Sequence, residues 1–221
     1  MAKTKIEKVI KMKPMIFTTY SVRAIQEGRK TMTRRVIKPQ PIPVVVDGEN
    51  WLSWSPKQPY KPGDIIWVKE AWRCAKYDSM DGDLGYGVEF KDGEQRYFEF
   101  EDVDRFHKFG KYALKEWQSP IYMPREAARL FLLVKDAIPE RLQDITEEDA
   151  IAEGFEPVLC DCSNKDIHGC TDCMNTGAIE PAIVGFVDAW DKLNAKRGYP
   201  FGSNPWVWKY VFERTEKPSG F

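Results

Sequence analysis

The sequence predicts an α+β fold, and three observations carry that expectation. Apolar side chains recur at Ile183, Phe186, Val187, Trp190 and Leu193, the spacing of one helical face. Thr146 stands three residues before Asp149, a capping box that starts a second helix ending near Glu153 and Gly154. Short β-prone runs bounded by Gly, Pro and Asp account for much of the remainder.

In chain order, residues 1–13 hold five lysines and one glutamate and predict a solvated basic arm ahead of a single domain over 14–221. A short strand is expected at Met15 to Phe17, then a helix from Ser21 to Glu27 closed by Gly28. Thr31 to Ile37 reads as a strand stopped by Pro39. Six prolines between 39 and 63 predict a surface excursion, pinned by Trp51 and Trp54. The turn Lys61-Pro62-Gly63-Asp64 leads into a strand, and a β-hairpin is expected around Asp92 and Gly93. A buried strand follows at Arg129 to Lys135, and Trp206 to Arg214 closes the fold as a strand. Insertions are placed at 39–63, 76–120 and 155–180.

Bulk composition narrows the function. With 43% hydrophobic residues in 221, the chain can build a core of ordinary size. Its 33 basic residues nearly cancel 34 acidic ones, at a pI near 6.2, so any nucleic-acid surface must be a local patch. No apolar run reaches the roughly 18 residues a membrane span needs, and the first residues lack a signal-peptide core. The expectation is a cytoplasmic protein. There are no paired catalytic carboxylates, phosphate loop or histidine triad; His107 is isolated.

Four of the five cysteines, Cys160, Cys162, Cys170 and Cys173, form a C-x-C and a C-x-x-C pair separated by seven residues. In a reducing compartment this favours a metal over disulfides. Four thiolates close tetrahedrally on zinc and leave no open position, so the expected role is structural, a staple for an insertion too short to bury its own core. His168 is an alternative fourth ligand. Cys74 reads as a core residue.

The segment Gly28-Arg29-Lys30-Thr31-Met32-Thr33-Arg34-Arg35 resembles the signature of the ASCH family, in which a helix ends in Gly-x-Lys and leads into a strand carrying a polar residue and an arginine. GDIIWVKEAW, ITEEDAIAEGF and NPWVWKYVFE resemble, in the same order, that family's later strand, helix and final strand. The YMPR segment and the late WDKLNAKRGYPFGSNPWVW block are similar to ASCH proteins often carried by bacteriophages and prophages. The resemblance implies a PUA-like mixed β-barrel with flanking helices, and a cleft that binds RNA or a modified nucleoside. Arg29, Arg34 and Arg35 belong to a run without an acid that would position a phosphate backbone. Trp67, Trp72 and Tyr122 are candidates to stack a base, with Arg125 beside them in sequence.

Small members of that superfamily that hydrolyse the amide of N4-acetylcytidine use a lysine, a threonine three residues on, and a glutamate on the later helix. Lys30, Thr33 and Glu153 match these types and positions. The resemblance therefore also implies an amidohydrolase, with Lys30 as base, Thr33 as nucleophile and Glu153 moving a proton at the leaving amine. In a regular strand positions 30 and 33 face opposite ways, so Lys30 must precede the strand if the two are to meet. A protein-interaction role for the 39–63 excursion, with no nucleic acid involved, stands as a further alternative.

Overall fold

The computed structural model describes residues 12–46, 49–53, 57–78, 85–99, 110–112, 116–160 and 178–218. The strands, in chain order, are β1 (Met12–Ile16), β2 (Met32–Val36), β3 (Ile42–Val46), β4 (Glu49–Ser53), β5 (Ile65–Lys69) and β6 (Trp72–Asp78), then β7 (Gly85–Phe90), β8 (Gln95–Glu99), β9 (Phe131–Arg141), β10 (Val158–Leu159), β11 (Ala178–Glu180) and β12 (Trp206–Thr215). The described α-helices are α1 (Thr19–Gln26), α2 (Glu147–Ala152) and α3 (Ala182–Asn194). None is long and apolar enough to cross a membrane. The fold is α+β, as expected.

The chain divides into two compact units. The first comprises Met1–Gln26, Gly63–Leu133 and Glu213–Phe221; the second comprises Glu27–Pro62 and Val134–Phe212. In the first unit β1 runs parallel to β5, and β5 pairs antiparallel with the start of β9, so the sheet is mixed. Strands β6, β7 and β8 form a separate antiparallel meander with the expected turn, where Gly93 takes a φ of +87° that side-chain-bearing residues resist. Trp72, Val88 and Phe90 have no accessible surface and form the centre of this unit's core.

A buried cation ties the meander down. Arg129 grips Glu70 through two hydrogen bonds of 2.9 and 2.7 Å, meets Asp92 at 2.7 Å and Glu94 at 2.5 Å, and lies over the Phe90 ring at 4.1 Å. Burial pushes the Glu70 carboxyl above its usual range, and Arg129 opposes that shift. The pair is stable only as a pair, because an unpartnered buried charge costs several kcal/mol.

In the second unit β2 pairs antiparallel with β12, and β3 with β4. Thr146 caps α2 as expected, its hydroxyl accepting from the Asp149 amide at 3.2 Å. Pro181 has no side-chain oxygen to cap α3, and Glu147 does so instead: its carboxylate accepts from the amides of Ala182 at 2.6 Å and Ile183 at 3.1 Å. Phe186 and Trp190 on α3 pack with Leu142, Ala150 and Val207 to make the core of this unit.

Several expectations shift. β1 begins three residues earlier than foreseen, and its Pro14 is tolerated because β1 is the end strand of its sheet. The proline-rich stretch contains the two-stranded hairpin β3–β4, with Pro43 opposite Leu52 in its register. β6 follows β5 after only Glu70 and Ala71, too short a break to signal two strands in the sequence. The larger sheet runs β1-β5-β9-β12-β2, with β9 and β12 contributing to both units. Barrel closure needs its first and last strands to pair. The described strands end at β1 and β2, so the expected closed barrel is corrected to an open mixed sheet. Residues 1–11 of the expected basic arm, Trp54, His107 and the Trp51 side chain lie outside the described residues.

The Arg129 hub yields a pH-dependent test. Arg129→Met should destabilise the fold by about 3–5 kcal/mol at neutral pH, since Glu70 is left charged and buried. A carboxyl whose folded pKa is raised holds its proton more tightly in the folded chain, so stability falls as pH rises above its ordinary 4.5 through the raised value. Urea unfolding of the variant should therefore show a smaller deficit at pH 5 than at pH 8, and an equal deficit at both would contradict the assignment.

Candidate functional site

The sequence sets two chain reversals against each other. Gly28 takes a φ of +77°, and Lys30 follows it before β2 begins at Met32. On the other side α2 ends at Glu153, and Gly154, with a φ of +94°, turns the chain away. Lys30 and Glu153 form an isolated antiparallel bridge, and the Thr31 amide donates to the Ala152 carbonyl at 2.8 Å. Lys30 thus stands outside the regular strand, and strand parity does not decide its direction.

Its ammonium is buried, 2.5 Å from the Glu153 carboxylate and 2.7 Å from the Glu153 backbone oxygen. Burial pulls the Lys30 pKa down and the Glu153 charge partly restores it, with Arg35 and Arg34 pushing it down again. Lys30 and Glu153, two of the three residues that the resemblance singles out, are in direct contact. Thr33 is buried in the same unit, but among the described residues its hydroxyl makes no hydrogen bond to Lys30.

Arg34 stands differently from its expected role. Its side chain is 0% exposed, with Nε donating to Glu140 at 2.8 Å, Nη2 to Asp149, and Nη1 to Glu153 at 3.4 Å. Its guanidinium also lies 6.0 Å from the centre of the Phe186 ring. Lys209, opposite Arg34 on β12, reaches Glu140 at 2.8 Å and Asp149 at 3.5 Å. Three cations, Lys30, Arg34 and Lys209, meet three carboxylates, Glu140, Asp149 and Glu153. The expected solvent-facing stripe is corrected at Arg34, whose charge is spent inside the protein. Arg29 is half-buried and bonded to Glu27, to the Gly154 carbonyl at 2.9 Å and to Glu156 at 3.2 Å.

The other face of β2 carries Thr33 and Arg35. In the antiparallel register Thr33 faces Tyr210 and Arg35 faces Trp208, so these four side chains share one face. Tyr60 packs edge-on to Tyr210 with ring centres 5.3 Å apart. Burial raises the pKa of both tyrosines and lowers that of Arg35, while the charges of Arg35 and Glu153 act across this cluster.

The stacking candidates fall in the first unit. Trp72 is fully buried, 5.3 Å edge-on from Tyr112, and Trp67 is a core residue with 8% exposure. A base cannot stack on either, which corrects that expectation; tryptophans on inward positions of a strand fill the core. Tyr122, 57% exposed, and the exposed Arg125 remain on the surface. Cys160 is half-buried just after β10, and β10 pairs with β11 on either side of residues 161–177. Cys162, Cys170, Cys173 and His168 lie outside the described residues. Cys74 is buried in the first unit's core, as expected.

Sequence reading missed Glu140, Lys209, Tyr60 and Tyr210, and took Asp149 only as a helix cap. The partners of Arg34 lie more than 100 residues away in sequence, and no local spacing signals them. Comparison with protein-family models, curated proteins and solved structures returns no match.

The contact predicts its own electrostatics. Glu153→Gln removes the charge that holds the Lys30 pKa up, so that pKa should fall further below its ordinary 10.5. Nitrogen-15 NMR of the Lys30 side chain through an alkaline titration reads it directly, and an unchanged midpoint would show that the two groups are not coupled.

Proposed function

We propose that the second unit is an amidohydrolase acting on an acylated nucleoside of the N4-acetylcytidine type. The observation that carries this reading is the buried contact of 2.5 Å between Lys30 and Glu153. The resemblance of residues 28–35 and of the α2 segment to the ASCH family, with its PUA-like fold, supports it, because both residues occupy the positions that resemblance assigns.

The chemistry follows from burial. A lysine base must shed its proton, and desolvation favours the neutral amine. In this reading the Lys30 amine and the Thr33 hydroxyl, which share no hydrogen bond at rest, come together as substrate enters: Lys30 accepts the Thr33 proton and Glu153 supplies one to the departing amine. Arg34, held by Glu140 and Asp149, lies against Glu153 and fixes its carboxylate; it is a positioning residue.

Wild-type protein should release acetate from N4-acetylcytidine. Lys30→Met and Thr33→Val should each lower kcat/KM by at least about 10²-fold, with the circular dichroism of the fold preserved. Binding of the nucleoside without release would favour the second reading, recognition of RNA or a modified nucleotide without chemistry. Tyr122 and Arg125, exposed on the first unit, are the observation that keeps it in play. Neither binding nor release would dismiss both.

We also propose that Cys160, Cys162, Cys170 and Cys173 hold a structural zinc. The four-thiolate donor set suits that metal, and the β10–β11 pairing joins the two ends of the segment it would close. Protein purified without added zinc should contain about one zinc per chain and lose thermal stability on chelation. Metal-free protein of full stability would refute the site.

A further inference from the structure

One buried group is left unexplained by the charge network. Tyr210 has no accessible surface, and among the described residues its hydroxyl proton has no acceptor. The Tyr60 backbone acts on the phenol oxygen as an N–H donor and so offers the phenol proton no acceptor. Buried hydroxyls without partners are uncommon and costly, and a phenylalanine would fill the same space without that cost. The β2–β12 register sets Tyr210 directly opposite Thr33, with Arg35 further along the same face. A proton donor with no ground-state acceptor, beside a hydroxyl nucleophile and near a guanidinium, has the character of an oxyanion-stabilising group.

We infer that the Tyr210 hydroxyl donates to the oxyanion formed when an acyl group is transferred to Thr33, with Arg35 adding positive charge to the same locus. This rests on the amidohydrolase reading. Lys30, as the free amine, takes the Thr33 proton; the Thr33 oxygen bonds to the acyl carbon, and the carbonyl π pair moves onto oxygen, where Tyr210 meets it. The oxyanion collapses, the carbon–nitrogen bond breaks, and the amine leaves with the proton from Glu153. Water then adds to the acyl ester through a second oxyanion, releasing the carboxylic acid and restoring the Thr33 hydroxyl. Tyr60, half-buried and packed edge-on against Tyr210, is the ring that shifts for the acyl oxygen to arrive.

Tyr210→Phe separates this role from a structural one. With N4-acetylcytidine as substrate, kcat should fall by about 10²-fold with little change in KM. The melting temperature should be unchanged or higher, because the substitution removes an unsatisfied buried hydroxyl and keeps the ring. A lower melting temperature would show that the hydroxyl is engaged in the folded protein and would overturn the inference. So would an active wild type matched in rate by Tyr210→Phe, which leaves the amidohydrolase reading standing. A wild type that releases no acetate overturns both.

Discussion

The second unit is organised around a constraint of desolvation: Lys30, Arg34 and Glu153 are ionic groups taken out of water together. Each alone would cost several kcal/mol to bury, and each is tolerable only because the others lie within hydrogen-bonding distance. Glu140 and Asp149 complete the balance, and Lys209 shares them with Arg34. Backbone features apart in the chain make this possible. The α2 cap and the left-handed Gly154 bring Glu153 to its place, and the register of β2 on β12 sets Arg34 beside Lys209.

That arrangement gives β2 two unlike faces. One face carries ions that neutralise one another, and the opposite face carries hydroxyls, rings and the Arg35 guanidinium. Ions paired in this way hold geometry, and they have little charge left for a polyanion outside. The alternation of the strand thereby converts what reads as one basic run, residues 29–38, into two environments with different chemistry.

Elements whose signals are local were legible. The Thr146 cap, the α3 stripe, the Asp92-Gly93 turn and the strand after Gly63-Asp64 are set by residues within a few positions of one another, and the structure has them. The contact of Lys30 with Glu153 was foreseen only from the resemblance, since 123 residues separate them. What was not legible depends on tertiary pairing. Nothing near Arg34 shows that its charge is met by acids from β9 and α2, and nothing near Tyr210 shows that its hydroxyl proton would lack an acceptor among the described residues. Strand number failed where β5 and β6 abut, and sheet closure failed because pairing at a sheet's edges is not written in either edge strand.

Burial also bears on how such a site would work. Lys30, Thr33 and Glu153 are each under 5% exposed, so water does not freely reach the groups assigned to proton transfer. In bulk water a lysine near its ordinary 10.5 is almost entirely protonated at neutral pH and a poor base. In a dry pocket the ion pair and the neutral pair lie closer in free energy, because charge separation loses its solvation while a short hydrogen bond is retained. A substrate that enters by displacing Tyr60 would extend that low-dielectric environment over its own amide. The closed resting site is therefore a condition of the proposed chemistry: opening it permanently to solvent would restore the lysine to its ordinary basicity and remove the reason for pairing it with Glu153.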